Sequence, residues 1–209
     1  MKTDPKFKVH FSLLLLVIAV LIWSVIKPKE FLTWVAESSP SIVVLIILIA
    51  IYRKFRLTTL SYTIIAILSI LTFIGGHYTY SEVPLFNWLQ DTYDLKRNHY
   101  DRFGHFLKGL SAIVVMEILI RKTLLKRDAW LSGITISIIL AIAALYEIVE
   151  WLSTKLPYAQ KEKEDFLGMQ GDRWDAQWDM FLALIGSILA LVIFSRLLNK
   201  QLKKIKHPN

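Results

Sequence analysis

The sequence predicts an all-α polytopic membrane protein, a bundle of about six transmembrane helices with two long outer loops, and three observations lead there. The 209 residues are 55% hydrophobic with a mean hydropathy of +0.46, more than a soluble domain of this length carries. The apolar residues fall in blocks of about 16 to 22, each able to cross roughly 30 Å of hydrocarbon at about 1.5 Å per helical residue. The basic residues lie between these blocks and not along one amphipathic face, as they do in the cytoplasmic loops of membrane proteins.

The spacing predicts spans at about 9–26, 38–53, 59–76, 103–121, 129–152 and 176–197, within a single integral membrane domain covering 1–209. The first follows Lys2, Lys6 and Lys8, and its apolar run from Phe11 to Ile26 ends in Lys27-Pro28-Lys29 with no small-x-small cleavage site, so it reads as a retained signal anchor. The second is the shortest and opens on Ser38-Ser39-Pro40; a start near Trp34 is the alternative. The third ends at Gly75-Gly76-His77. A long loop, about 77–102, follows, and its segment Val83-Pro84-Leu85-Phe86-Asn87-Trp88-Leu89 suits an element lying on the membrane surface or folding back into it. The fourth span carries Lys108, and Glu117 with Arg121 four residues later predicts an ion pair at its inner boundary. The fifth ends at Glu147 and Glu150. The second long loop, about 153–175, holds the charged run Lys161-Glu162-Lys163-Glu164-Asp165, a solvated stretch, before the sixth span opens.

Orientation follows from counting positive charge in short loops. With the N-terminus inside, fifteen of the 25 Lys and Arg fall in short inner segments and nine in longer outer ones, with Lys108 inside a span. Both termini are therefore expected in the cytoplasm. Trp23, Trp34, Trp88, Trp151, Trp174 and Trp178 fall near outer span ends, where amphipathic rings favour the headgroup level, and Trp130 falls at an inner one. The net charge of +8 is accounted for by those loops, which argues against nucleic acid as a partner and for the lipid bilayer. The absence of cysteine excludes disulfides, thiolate metal sites and thiol nucleophiles.

The polar residues gather at the outer face of this topology. His77 ends the third span, Asp101 and His105 open the fourth, Glu147 and Glu150 end the fifth, and Asp172, Asp175 and Asp179 open the sixth. Asp101 and His105 are four apart, Glu147 and Glu150 three apart, Asp175 and Asp179 four apart, so each pair shares one helix face. Several ionisable groups near hydrocarbon require partners, and Lys108 and Arg173 are the expected cationic ones. Asp172 and Asp175 also suit simple capping of a helix N-terminus, whereas Glu147 and Glu150 sit at the unfavourable C-terminal end of theirs. Tyr78, Tyr80 and Tyr100 read as interface anchors. A His with several carboxylates is an acceptable donor set for Zn, Mn or Fe, but neither H-E-x-x-H nor paired Glu-x-x-His is present, so a metal ion is admissible without being favoured and no cofactor is assigned.

The stretches His77-Tyr78-Thr79-Tyr80-Ser81-Glu82-Val83-Pro84, Asn98-His99-Tyr100-Asp101-Arg102-Phe103-Gly104-His105-Phe106, Tyr146-Glu147-Ile148-Val149-Glu150-Trp151 and Gly171-Asp172-Arg173-Trp174-Asp175-Ala176-Gln177-Trp178-Asp179-Met180 closely resemble the YjdF family of bacterial inner-membrane proteins. The resemblance implies a multi-pass protein of the inner membrane and supplies no activity. A more distant likeness is to VanZ-like membrane proteins, associated with tolerance of teicoplanin-type glycopeptides. Asp101, His105 and Phe106 match that pattern, Glu150 stands where it has Gln three residues after the Glu matched by Glu147, and Arg173, Asp179 and Gly186 match its last helix, with Ala183 where it has Asn. This second likeness implies a shared site architecture on four helices.

The leading expectation is an outer-facing polar pocket that handles or modifies an envelope or lipid-linked ligand. Its site residues are His105, Asp101, Glu147, Glu150 and Asp179, with His77, Asp175, Arg173 and Lys108 binding around them. Asp101 and His105 would form the acid/base pair, because imidazole is the side chain that changes charge near neutral pH. The alternatives are a proton- or cation-coupled transporter, which needs ionisable groups continuing to the inner face, where only Lys108 and Glu117 extend, and a structural membrane component.

Overall fold

The computed structural model describes residues 5–153 and 170–206; the predicted charged run at 161–165 lies outside them. Its helices are α1 (Pro5–Val25), α2 (Phe31–Ile51), α3 (Thr59–Tyr78), α4 (Pro84–Thr92), α5 (Tyr100–Lys108), α6 (Ala112–Lys122), α7 (Ala129–Ser153) and α8 (Asp175–Lys206). Six stretches are long and apolar enough to cross a membrane: Lys6–Val25, Phe31–Ile51, Thr59–Tyr78, Tyr100–Lys122, Ala129–Leu152 and Asp175–Lys204. The fourth joins α5 to α6 through one tightened turn, Gly109–Ser111. No strand occurs among the described residues, so the all-α class expected from the apolar blocks is the one observed.

The outside of the bundle is apolar and much of the inside is polar. Leu16, Ile46, Ile142 and Val192 are exposed, while Ser24, Asn98, His105, Glu117 and Thr135 are buried. Lipid tails give apolar side chains no reason to hide, so helices associate through close packing and hydrogen bonds. Both α1 and α2 pack along α3, and α8 packs against α5, α6 and α7.

Helix α2 begins at Phe31, earlier than the start at 38 expected from the sequence, because Ser38-Ser39-Pro40 does not break it. Proline removes an N–H and leaves the carbonyl four residues back without its partner; Ser39 Oγ donates to that Ala36 carbonyl at 3.2 Å. The added turns bury Thr33, Trp34, Glu37 and Ser38 on one face. Trp34 Nε1 donates to Ser24 Oγ, 3.0 Å away on α1. The fourth span likewise starts at Tyr100 and not at 103, which places Asp101 within it. Tyr80 and Tyr100, expected as interface anchors, are instead buried among one another and Val83, and Tyr100 donates to the Leu71 carbonyl at 2.7 Å. Helix α4 starts on Pro84 and exposes Leu85 and Trp88, consistent with an element on the membrane surface.

Each end of the bundle is tied by a buried polar cluster. At one end Glu117 of α6 accepts from Thr58 N at 2.9 Å, Thr58 Oγ1 at 2.7 Å, Ser61 Oγ at 2.6 Å and Arg121 at 2.7 Å. This includes the expected Glu117–Arg121 pair and fixes the start of α3 against α6. His10 of α1 lies nearby, its ring nitrogens 3.0 Å from Tyr52 Oη and 2.9 Å from Thr59 Oγ1.

At the other end α5 crosses α8 at backbone contact. A β-carbon on Gly186 would sit 2.0 Å from the Phe106 carbonyl oxygen, and one on Gly109 would sit 2.5 Å from the Gly186 carbonyl carbon. Only glycine fits at either position, and the crossing sets Asp101 and His105 of α5 beside Asp175 and Asp179 of α8.

Candidate functional site

Asp101 lies in the first turn of α5, with His105 and Lys108 following at helical spacing on the same face. The side chain of His105 is almost fully buried. Its Nε2 lies 3.0 Å from Lys108 Nζ, 3.6 Å from Asp101 Oδ1 and 3.7 Å from Glu147 Oε1. One ring nitrogen is thus shared by an amine and two carboxylates, the latter just beyond hydrogen-bond range. Lys108 also lies over the Tyr146 ring at 4.2 Å and nearer the edge of contact with Tyr80 at 5.8 Å. Tyr146 donates its hydroxyl hydrogen to Glu37 Oε2 at 2.9 Å, which brings α2 into the cluster.

The acids outnumber the cations at the centre. Asp179 is close enough to Asp101, Asp175 and Glu147 to feel each charge, and Glu150 is similarly placed toward Asp101, Glu37 and Glu147. Lys108 is the cation that opposes them. Among the described residues, His105 Nδ1, Glu147 Oε1 and Asp179 Oδ1 are buried side-chain atoms with no hydrogen-bond partner. Buried polar atoms usually have one, which makes these three candidates for holding a ligand, proton or ion.

A second layer closes the site toward the membrane surface. Arg97 grips both carboxylate oxygens of Asp175 in a buried pair. Arg102 reaches Asp172 at 2.5 Å and Asp175 at 3.3 Å. Asp172 accepts the Trp174 N–H at 2.9 Å, and that bond, ahead of Arg102, holds its carboxyl below the usual 3.8. Asp172 therefore closes a turn just ahead of α8 and does not cap the helix itself, while Asp175 serves a buried ion pair. Asn98 braces the loop: its side chain donates to the Val83 carbonyl at 3.2 Å and to Asn87 Oδ1 at 2.6 Å, and its backbone exchanges hydrogen bonds with the Gln170 amide at 2.8 and 2.9 Å.

The structure brings together Asp101, His105, Lys108, Glu147, Glu150, Asp175 and Asp179, and leaves two expected members outside. His77 turns toward α1, with Nδ1 3.0 Å from the Ser24 carbonyl and its ring against Trp23 at 4.3 Å. Arg173 is exposed and lies over its neighbour Trp174 at 5.0 Å, because it precedes α8 in the turn where side chains point outward. The arginines that serve the acids are Arg97 and Arg102. Lys108 meets the imidazole of His105, where the sequence suggested a carboxylate.

Sequence reasoning missed Glu37, Tyr146 and Arg97. Glu37 lay before the expected start of α2, although Thr33 with Glu37 and Trp34 with Ser38, each four apart, already marked one polar face. Tyr146 stands directly beside Glu147, and Arg97 counts in the sequence only as loop charge.

The donor set can also hold a metal. Asp101, His105 and Asp179 each offer one ligand atom within 4.8 Å of the others, and Glu147 stands next to them. One imidazole with carboxylates suits a borderline or hard divalent cation. Ligation through Nε2 would compete with Lys108, whereas Nδ1 has no partner. Chemically, the arrangement offers a buried imidazole with an ammonium and two carboxylates gathered at one of its ring nitrogens.

Comparison with known proteins agrees with this fold. Residues 9–200 match the family described as "Predicted membrane protein (DUF2238)". The chain is 39% identical over 186 residues to "Inner membrane protein YjdF" of Escherichia coli (strain K12), covering 88% of each sequence. No solved structure matches significantly. With six membrane-spanning helices and these matches, the chain belongs to the DUF2238 family of membrane proteins, as a multi-pass relative of an inner-membrane protein.

Proposed function

We propose that the His105 cluster faces the extracytoplasmic side and acts on an envelope or lipid-linked ligand through a hydroxyl or amino group, with His105 taking or giving the proton. The observation that carries this reading is the convergence of Glu37, Asp101, Glu147, Glu150 and Asp179 on one imidazole and one ammonium at the end of the bundle. Ionisable groups near hydrocarbon cost on the order of 2.5–3.5 kcal/mol each at the centre and are kept chiefly for function. Asp101 and Glu147 flank the ring from α5 and α7, and Lys108 meets it at Nε2, which leaves Nδ1 as the atom that exchanges the proton. A net-acidic cluster favours a neutral or cationic group over a bare phosphate. The orientation rests on positive charge: Lys6, Lys8, Arg53, Lys54, Arg56, Arg121 and Lys122 collect at the opposite, Glu117 end, which supports a cytoplasmic side there for both termini.

A cation-coupled transporter is the second reading, favoured by the same excess of acid. It needs a path to the other face, and Glu117, the buried acid there, is already saturated by Thr58, Ser61 and Arg121.

The test uses a deletion strain complemented by wild type or by Asp101→Asn, Glu147→Gln or Asp179→Asn. Lipids and lipid-linked envelope intermediates are profiled by mass spectrometry. Wild type should reverse the change caused by deletion and each variant, present at equal abundance, should not. Full reversal by all three variants would refute the reading. Because the chain has no cysteine, Glu82→Cys and Lys54→Cys can be probed with a membrane-impermeant maleimide, and labelling of Lys54→Cys from outside would overturn the orientation.

A further inference from the structure

At the Glu117 end, far from the His105 cluster, two cavities meet at His10. The first, about 460 Å³, is lined by Lys6, His10, Arg56, Thr59, Arg121 and Lys204 among others, and its lining includes no acid. The second, about 380 Å³, is apolar, with Phe11, Leu14, Val17, Leu45, Leu48 and Ile65 in its walls. It lies between α1, α2 and α3. His10 lines both, so a strongly cationic chamber at the ends of the spans opens beside an oily one running along them.

We propose that these two cavities form one binding site for an anionic phospholipid, its phosphate among Lys6, Arg56, Arg121 and Lys204 and an acyl chain against Leu14, Val17 and Leu45. Basic pockets between spans are where lipid phosphates are held, and the charge is complementary to them. Arg121 is already oriented for phosphate: one of its nitrogens is fixed by Glu117 Oε1 and the Arg56 carbonyl, both at 2.7 Å, so a planar guanidinium is presented in one orientation. The adjoining apolar chamber is what separates a lipid from a free anion. Its volume falls in the usual range for sites that bury a hydrophobic ligand. The proposal is independent of the chemistry assigned to His105.

The experiment uses the full chain in neutral detergent. Native mass spectrometry counts bound dioleoyl phosphatidylglycerol against dioleoyl phosphatidylcholine, and thermal unfolding is followed with each lipid and with inorganic phosphate. Two variants separate the arms: Arg56→Gln/Lys204→Gln removes exposed cations without touching Glu117, and Leu14→Trp fills the apolar chamber. Wild type should retain phosphatidylglycerol in preference to phosphatidylcholine. The double variant should bind it about thirtyfold more weakly, as expected for two interfacial charges. Leu14→Trp should also weaken it, with helix content unchanged by circular dichroism in both. Equal binding of phosphatidylcholine, unaltered phosphatidylglycerol binding in either variant, or an equal stabilisation by inorganic phosphate would overturn the proposal.

Discussion

Replacing Gly186 with alanine tests the crossing on which the His105 cluster depends. The new β-carbon would lie 2.0 Å from the Phe106 carbonyl oxygen and 3.3 Å from Gly109 Cα. Both are backbone atoms, so no rotamer change relieves the clash. Carbon and oxygen approach to about 3.3–3.6 Å even in their closest favourable contacts, so α5 and α8 must part by about 1 Å or more. Overpacking of this kind costs about 1–3 kcal/mol, offset in part by alanine's better helix propensity, about 0.8–1.0 kcal/mol. Gly133→Ala supplies the control, because Gly133 is exposed in a helix and a β-carbon there meets nothing within 4 Å. The propensity gain cancels between the two variants, leaving a difference of about 1–3 kcal/mol that is steric alone. Unfolding in detergent, followed by tryptophan fluorescence, would read it. Equal stability of the two variants to within about 0.5 kcal/mol would refute the close crossing.

Two further outcomes concern the clusters at the ends. Glu117→Gln keeps the shape of the side chain but turns a donor toward the Thr58, Ser61 and Arg121 donors, so it should destabilise by about 3–5 kcal/mol in the same unfolding assay. Burial, followed by Arg102 and Arg97, holds the imidazole of His99 below its ordinary 6.5. The unfolded chain therefore takes up that proton first, and stability falls as pH drops below 6.5. Between about pH 7.5 and about pH 5.5 wild type should lose more stability than His99→Gln, measured as the shift of the unfolding midpoint.

Much of this architecture could be read from the sequence, for a definite reason. Hydrocarbon demands long uncharged helices, and that demand writes itself into Phe11–Ile26 or Ile134–Tyr146 without reference to any neighbour. Pairs at helical spacing were equally legible: Asp101 with His105 and Asp175 with Asp179 do share a face. What the sequence concealed was partnership between distant elements. Glu37 joins Tyr146 across the bundle, Arg97 reaches from a loop to Asp175, and His77 is drawn aside by Ser24 and Trp23. Pro40 misled because its usual meaning is a boundary, whereas here the helix runs on and the Ser39 hydroxyl answers the Ala36 carbonyl that Pro40 leaves without an N–H.

The placement of Asp175 and Asp179 on the last helix has a consequence for biogenesis. As the chain leaves the ribosome, Glu37, Asp101, His105 and Glu147 enter the bilayer before the segment that completes their surroundings has been made. Arg97 waits for Asp175 in the same way. A nascent chain halted before Asp172 would lack both the Asp175 carboxylate that Arg97 grips and the α8 wall of the His105 site.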